Sequence, residues 1–376
     1  MRVAIVCSWL NQYGGAERVL EAIKSLYPDA PIYTSIFWPD ALPESYRSWE
    51  IHVSALDHFP FIHRYHRLFL PLYPLAFEAF DLSAYDLILS VTSAFAHGVV
   101  TTPQSLHICY CLTPARFLWD YENYVQREGI ARALKLLLPF VLRGLRQWDR
   151  LAADRVDEFV AISEEVARRI AKYYRRPSQV IYPPVETARF KPSEERGDYF
   201  LIISRLVPYK RIDLAVEAFN RLGLPLVVIG DGRDRAALER IAQPNIRFLG
   251  RVSDRETSEY LARCRAFIFP GEEDFGIAPL EAQAAGRPVI AYAGGGALET
   301  VQSGVTGTFF YPQTADALAE AVASFDETRY NPIEIRRNAE NFDVSVFQQR
   351  FREFVESRYA ARCVSPIARG GYTSGT

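Results

Sequence analysis

Cysteine is scarce here, with five residues (Cys7, Cys109, Cys111, Cys264 and Cys363) among 376. So few, and an odd number, argue against a disulfide framework and for a reducing compartment. Long apolar runs are also missing: no window reaches the roughly 18 residues that a membrane span needs. Charge of one sign is absent too, since 43 basic residues stand against 45 acidic ones. A net charge of −2 creates no global field toward nucleic acid or acidic membranes, so a charged partner must be met by a local patch. The N-terminal "MRVAIVCSWLNQYGGAER" lacks the long apolar stretch and small-residue cleavage site of a secretory leader. Its apolar run stops at Asn11 and enters a Gly-Gly turn, as a buried parallel strand would. The chain therefore reads as cytoplasmic.

What is present is a repeated alternation. From Tyr199 onward, short β-branched runs ("YFLII", "PLVVI", "IRFL", "AFIF", "PVIAY", "TFFY") alternate with segments of helical period such as "RIDLAVEAFNRL" and "TADALAEAVASF". Continuous apolar strands separated by helices predict a parallel sheet covered on both faces. "VAIVCSWL", "PIYTSIF", "YDLILSV", "LHICYC" and "EFVAIS" repeat the theme in the first half, with long aromatic and basic insertions between them. The expected fold class is α/β, two Rossmann-like doubly wound domains facing a central cleft. Residues 1–190 form the first domain and 191–344 the second, with "QVIYPPVETARFKPSEERGDYF" as the hinge. A final helix at about 345–360 packs on its own domain or crosses back to the first, and residues 361–376 read as a disordered tail. "HICYC" sets Cys109, Cys111 and His107 on one strand face, but no second ligand pair completes a metal site, and buried apolar cysteine fits better.

The stretch "GEEDFGIAPLEA" (271–282) carries the chemistry. It leaves the C-terminal edge of the strand "AFIFP", and Pro279 suits the first turn of a helix. The amides of Phe275, Gly276 and Ile277 then lie near a helix N-terminus, a ready anion and hydroxyl site. Glu273 precedes the loop and Glu281 falls in the first helical turn. Helix-dipole compensation alone would explain Glu281 but leaves Glu273 unexplained. "ISRLVPYKRID" adds Arg205 and Lys210 on the same edge, suited to grip a diphosphate as a fork and a point charge. Alone, that turn reads as solvated and basic. "AYAGGGALET" offers bare backbone at another strand-to-helix junction, where phosphate can approach. In "YGGAER", Gly14 and Gly15 place amides on the opposite wall, or form a simple tight turn.

"SRLVPYK", "GDG", "GRVS", "GEEDFGIAPLEA" and "AGGGALETV" occur in the order seen in retaining glycosyltransferases of family 4, of the GT-B fold, and Glu273 to Glu281 matches that family's E-x7-E pattern. The resemblance spans nearly the whole chain. It implies that Arg205 and Lys210, with Gly14 and Gly15, hold the donor diphosphate. Glu281 would bind the ribose hydroxyls, with Arg251 and Val252 beside the base. Glu273 and the amides of Phe275, Gly276 and Ile277 would hold the donor sugar, with Glu273 the candidate catalytic residue. It also implies that the C-terminal helix returns to the first domain. No D-x-D occurs in the sequence, so the metal-bridging acidic pair of the other main glycosyltransferase fold is missing. No metal or cofactor is expected beyond the nucleotide-diphosphate sugar that serves as substrate.

"HICYCLTPARFLWDY" (107–121) resembles a narrower branch that builds bacterial surface polysaccharides, often from GDP-mannose. Many relatives place a histidine directly before the Thr-Pro pair, and this chain has Leu112, which offers no proton or hydrogen bond. Either that contact is dispensable, or His97 or another group supplies it, or the sugar differs near its C6 position. Thr113, Arg116 and Asp120 are acceptor- or donor-side candidates, or else a loop held by an Arg–Asp pair. "HFPFIHRYHRLFLPLYPLAF" and residues 127–150 hint at the acceptor. The latter set Arg127, Arg132, Lys135, Arg143, Arg146 and Arg150 against Glu128 and Asp149. Such a basic amphipathic surface lies on the anionic inner face of the cell membrane or packs on the domain core.

The expected activity is transfer of a hexose, mannose favoured, from a GDP-sugar to a polysaccharide or lipid-linked glycan. The competing readings are a related GT-B epimerase or phosphorylase, and a non-catalytic nucleotide-sugar-binding protein.

Overall fold

The computed structural model describes residues 1–120 and 134–364. Seven parallel strands build the first sheet: β1 (Val3–Cys7), β2 (Ile32–Thr34), β3 (Ile51–Val53), β4 (Leu87–Thr92), β5 (Leu106–Cys111), β6 (Glu158–Ala161) and β7 (Gln179–Val180). Their order is β3-β2-β1-β4-β5-β6-β7, with Ile5 of β1 opposite Ile32 on one side and Leu89 on the other. The second sheet holds β8 (Phe200–Ile203), β9 (Leu226–Ile229), β10 (Ile246–Gly250), β11 (Phe267–Phe269), β12 (Val289–Tyr292) and β13 (Gly307–Phe310). It follows the same winding, β10-β9-β8-β11-β12-β13. β4 and β5 are each buried along their length, with the buried polar pair Ser90 and His107 bonded to each other at 2.8 Å between them.

In each sheet the winding reverses between the first and fourth strands: β1 and β4 in one, β8 and β11 in the other. Loops at such a switch point diverge and leave a crevice at the strands' C-terminal ends. The segments carrying Gly14 and Gly15, Arg205 and Lys210, and Glu273 follow β1, β8 and β11 respectively.

Three details depart from the sequence expectations. The hinge stretch contributes a two-residue edge strand, β7, and β3 is a further short edge strand. Both are too short for a periodic signal. The last helix runs Val344–Val364, so residues 361–364 of the expected tail belong to it, and 365–376 lie outside the described residues. It crosses to the first domain, where Phe347, Phe351 and Phe354 join the core that contains Tyr110. Tyr110 meets the rings of Phe347 and Phe351 edge-on at 5.6 and 5.9 Å. Gln348 adds a 2.6 Å bond to Ser25 Oγ on the first long helix, Gly15–Leu26.

Phe351 is fully buried, and its truncation leaves a cavity between the returning helix and its host. Phe351→Ala is expected to lower unfolding free energy by about 3–5 kcal/mol, measured by urea denaturation. Arg352→Ala, on the solvent side of the same helix, should stay within about 0.5 kcal/mol of wild type.

Candidate functional site

The second domain's wall starts at β11. Its loop turns at Gly276, whose φ of 89° lies in the left-handed region and caps the helix Ile277–Ala284. The helix opens on amides that have no intrahelical acceptors. Glu273 precedes this start and its carboxylate pairs with Lys210. The space between Ser204, Lys210, Gly271 and Glu273 is about 10 Å³, room for roughly one water. Arg205 is exposed, and donates to Tyr209 Oη at 3.1 Å and to Gln12 Oε1 of the first domain at 3.3 Å. Arg251 is exposed beyond β10, while Val252 packs partly buried on the domain's core.

The glycine triplet has a different use from the phosphate approach expected of it. Gly296 N–H donates to Glu273 O at 2.9 Å. A Cβ on Gly296 would stand 2.2 Å from Phe275 Cα, and one on Gly295 2.3 Å from Glu273 O. Gly295 and Gly296 are bare because the backbone of the Glu273–Phe275 loop lies on them, whereas Gly294 faces the Tyr292 ring.

The opposite wall comes from the Gly15–Leu26 helix. Its N-cap is Gly14, seven residues beyond the end of β1. A Cβ on Gly15 would come within 2.8 Å of Ile277 Cδ1, so this glycine lets the two helix N-termini approach. One turn along, Arg18 pairs with Glu281 of the second domain. Glu281 sits in the second turn of its helix, beyond the first-turn position expected, and its side chain is 8% exposed. Burial alone would lower Arg18's affinity for its proton, but Glu281 overrides it and raises the guanidinium above its ordinary value.

Two more carboxylates cross the cleft. Asp274 takes both Arg116 and Arg169 on a single oxygen, Oδ1. Glu299 accepts the amides of Glu164 and Glu165 at 2.8 and 3.2 Å, at the start of the helix Glu164–Arg169. Arg18, Arg169, Asp274 and Glu299 went unselected in the sequence. Three of them lay inside quoted motifs, but nothing local marks an ion pair with a residue 105 to 263 positions away.

Among the first-domain candidates, Thr113 accepts from Arg169 Nη1 at 3.5 Å. Asp120 is the exposed C-cap of Arg116–Trp119, and the Arg116 guanidinium reaches across to Asp274. His97 does not face the cleft as a substitute for the missing histidine. It is fully buried, with Nε2 3.3 Å from Asp149 O and Nδ1 3.5 Å from Thr92 Oγ1. Leu112 is partly buried against the apolar cluster that includes Phe275 and Leu280 of the second domain. His107 bonds Ser90 Oγ at 2.8 Å, and Cys109 and Cys111 are buried free thiols. The helix Leu134–Ala152 packs through Leu142, Leu145 and Trp148, leaving Phe140, Arg143 and Leu151 outward. Residues 127–133 lie outside the described residues.

Glu17, third in its helix, is 5% exposed. Burial pushes its carboxyl up to about 7, against the pull of the Glu17 and Gly14 amides and of Arg205. A folded value above the ordinary 4.5 means that folding takes up a proton. This stability contribution is fully present below pH 4.5 and is lost as pH rises through 7. Glu17→Gln should therefore raise stability at pH 8 by up to about 3 kcal/mol and change little at pH 4. Urea midpoints across that range check the slope.

Comparison with known proteins agrees with this geometry. The model of Glycosyltransferase Family 4 matches residues 13–189, and that of Glycosyl transferases group 1 matches 185–342. The chain is 32% identical over 206 residues to the GDP-mannose-dependent alpha-(1-6)-phosphatidylinositol monomannoside mannosyltransferase of Mycobacterium tuberculosis, covering 46% of this chain and 54% of that one. It is 30% identical over 250 residues to O-antigen chain mannosyltransferase C of Escherichia coli, covering 61% and 65%. The chain thus spans about half to two thirds of these relatives. Anabaena Alr3699/HepE, crystallised with UDP, shares the fold with a TM-score of 0.70 at 19% identity, over 95% of this chain and 100% of that one. Two adjoining family models, one on each Rossmann-like domain, show that the chain belongs to glycosyltransferase family 4 and has its GT-B fold.

Proposed function

We propose that the protein is a metal-independent retaining glycosyltransferase that moves a hexose, mannose favoured, from a GDP-sugar to a polysaccharide or lipid-linked glycan. The observation that carries this reading is the convergence of Arg205, Lys210, Glu273 and Glu281 at one switch point, facing Gly14 and Gly15 at the other. The relatives whose names specify mannosyl transfer support the sugar. The residues divide by the charge each must meet. Arg205, Lys210 and the helix N-terminus at Gly14 and Gly15 hold the diphosphate and stabilise it as it departs. Glu281 binds the ribose hydroxyls, and Arg251 and Val252 flank the base. Glu273 and the amides of Phe275 to Ile277 hold the sugar, and the Glu273 carboxylate stabilises positive charge developing at its anomeric carbon. The acceptor hydroxyl enters on the face from which the diphosphate leaves, and the β-phosphate takes its proton.

Binding of this donor exchanges partners: Glu281 leaves Arg18 for the ribose, and Lys210 leaves Glu273 for phosphate. A panel of nucleotide sugars read by thermal shift tests the donor, since a ligand that binds only the folded state raises Tm. GDP-mannose should raise it, and a response only to UDP-sugars would refute the GDP assignment. Glu281→Ala should weaken GDP binding about ten- to a hundredfold, the worth of one or two charge-assisted hydrogen bonds. Glu273→Ala should keep GDP affinity and lose about a hundredfold or more in transfer rate.

We also propose that the first domain touches an anionic membrane. Among the described residues no helix is long and apolar enough to cross one, but Phe59, Phe61, Tyr65, Leu68 and Leu75 are exposed together beside Arg64 and Arg67. Flotation with phosphatidylglycerol vesicles should carry the wild type upward. Phe61→Ser with Leu68→Ser should leave it at the bottom, while neutral phosphatidylcholine should bind neither.

A further inference from the structure

Asp274 is the residue between the proposed sugar-binding Glu273 and the anchored Phe275. Its Oδ1 receives two guanidinium groups, Arg116 and Arg169, from the facing domain. Asp274 is 17% exposed and the arginines 26% and 20%, so all three charges are largely withdrawn from water. Arg169 is shared between Asp274 and Glu165, and desolvating such a set of charges is costly. Fold stability alone gives little reason for it. We propose that Asp274 is the positioning residue of the transfer reaction: by docking into the Arg116–Arg169 clamp when the cleft closes, it fixes Glu273 against the donor sugar.

The loop has little slack with which to absorb a shift. On the far side of Asp274, the Phe275 ring is 3% exposed and stacks on Tyr182 at 5.5 Å. On the near side, Glu273 O is bonded to Gly296 N–H, and Gly295 and Gly296 press on the backbone of Glu273 and Phe275. Movement of Asp274 therefore moves Glu273. A misplacement of about 1 Å at a reacting centre costs on the order of a hundredfold in rate.

The clamp itself is braced from behind. Arg169 also donates to Glu165 Oε1 at 3.1 Å and to Thr113 Oγ1 at 3.5 Å. Arg116 begins a one-turn helix whose Leu118 carbonyl accepts from Arg146 Nε. Trp119 of that helix donates to Asp149 Oδ2 at 2.7 Å and stacks on Tyr173 at 4.8 Å, four residues after Arg169. Asp149 is fully buried, with His97 Nε2 3.4 Å from its other oxygen. The Trp119–Tyr173 stack thus joins the two segments that carry the arginines, and the buried Asp149 carboxylate holds Trp119 in place.

This inference rests on the donor-sugar role proposed for Glu273, and the experiment separates the two. The wild type, Asp274→Asn, Asp274→Glu, Arg169→Gln and the double variant Arg169→Gln/Asp274→Asn are compared by kcat and KM with GDP-mannose and by GDP binding. Melting curves are recorded for each, and Arg169→Gln or Arg116→Gln supplies the same test from the other domain if an Asp274 variant does not fold. Asp274→Asn is expected to lower kcat about a hundredfold while the Kd for GDP stays within about twofold, with Asp274→Glu recovering part of the rate. The double variant should be no slower than the slower single one, because both break the same contact. Unchanged kcat in Asp274→Asn, or additive losses with GDP affinity falling in step, would overturn the clamp. No transfer by the wild type from any nucleotide sugar would instead overturn the functional reading on which it stands.

Discussion

Acids of the second domain ending on donors of the first set the register of the two halves. Glu281 meets Arg18, Asp274 meets Arg116 and Arg169, and Glu299 meets the amides of Glu164 and Glu165. Half-buried ion pairs contribute little net stability, because desolvation offsets most of the attraction. Their directionality is the larger effect, since a guanidinium accepts a carboxylate only in a narrow set of orientations. The attraction without direction comes from the apolar cluster that joins Phe275 and Leu280 to the first domain's core, with Leu112 and Ile277 packed against it. Apolar contact brings the domains together, and the charges decide where they stop.

On the proposed reading, Glu281, which closes the cleft on Arg18, is also a group that a nucleotide sugar would need. On that reading, phosphate replaces Glu273 at Lys210 as one anion for another, while at Glu281 neutral ribose hydroxyls take the place of the Arg18 cation. Neither residue then waits as a bare buried charge, which would be costly. The Lys210 charge is met with or without ligand, whereas Glu281 exchanges an ion pair for hydrogen bonds. Binding is then a rearrangement of partners.

Much of the architecture was legible because buried parallel strands advertise themselves. "YFLII" and "PLVVI" are unbroken apolar runs, "LHICYC" is interrupted only by His107, and each holds a buried strand. β3 and β7, with three and two residues, carry no such run. The motif loops were legible too, since glycine and proline mark where strands hand over to helices. The partners across the cleft were not. Arg18 and Glu281 are 263 residues apart, and an arginine on a helix face looks the same whether water or a carboxylate meets it. His97 misled for the converse reason: a polar residue near the right strand end looks available until its burial against Asp149 is known.

Leu112 shows how such a departure fits the whole. A histidine at that position would bring a ring nitrogen that needs a partner or water. Leu112 instead packs against the cluster containing Phe275, the residue that anchors the Glu273–Asp274 loop. An apolar side chain there adds to that cluster and offers no polar contact to a ligand. The arginines of the same segment and of the Glu164–Arg169 helix lie beside that loop, and Arg116 lies close enough to Glu273 for the two charges to interact. The E-x7-E spacing gains a finer meaning from the clamp. The chain turns at Gly276, so Glu273 is fixed by loop packing and Glu281 by a helix. Asp274, between them, crosses the cleft to Arg116 and Arg169, as Glu281 does to Arg18, and on the proposed reading it is the contact through which closure reaches Glu273.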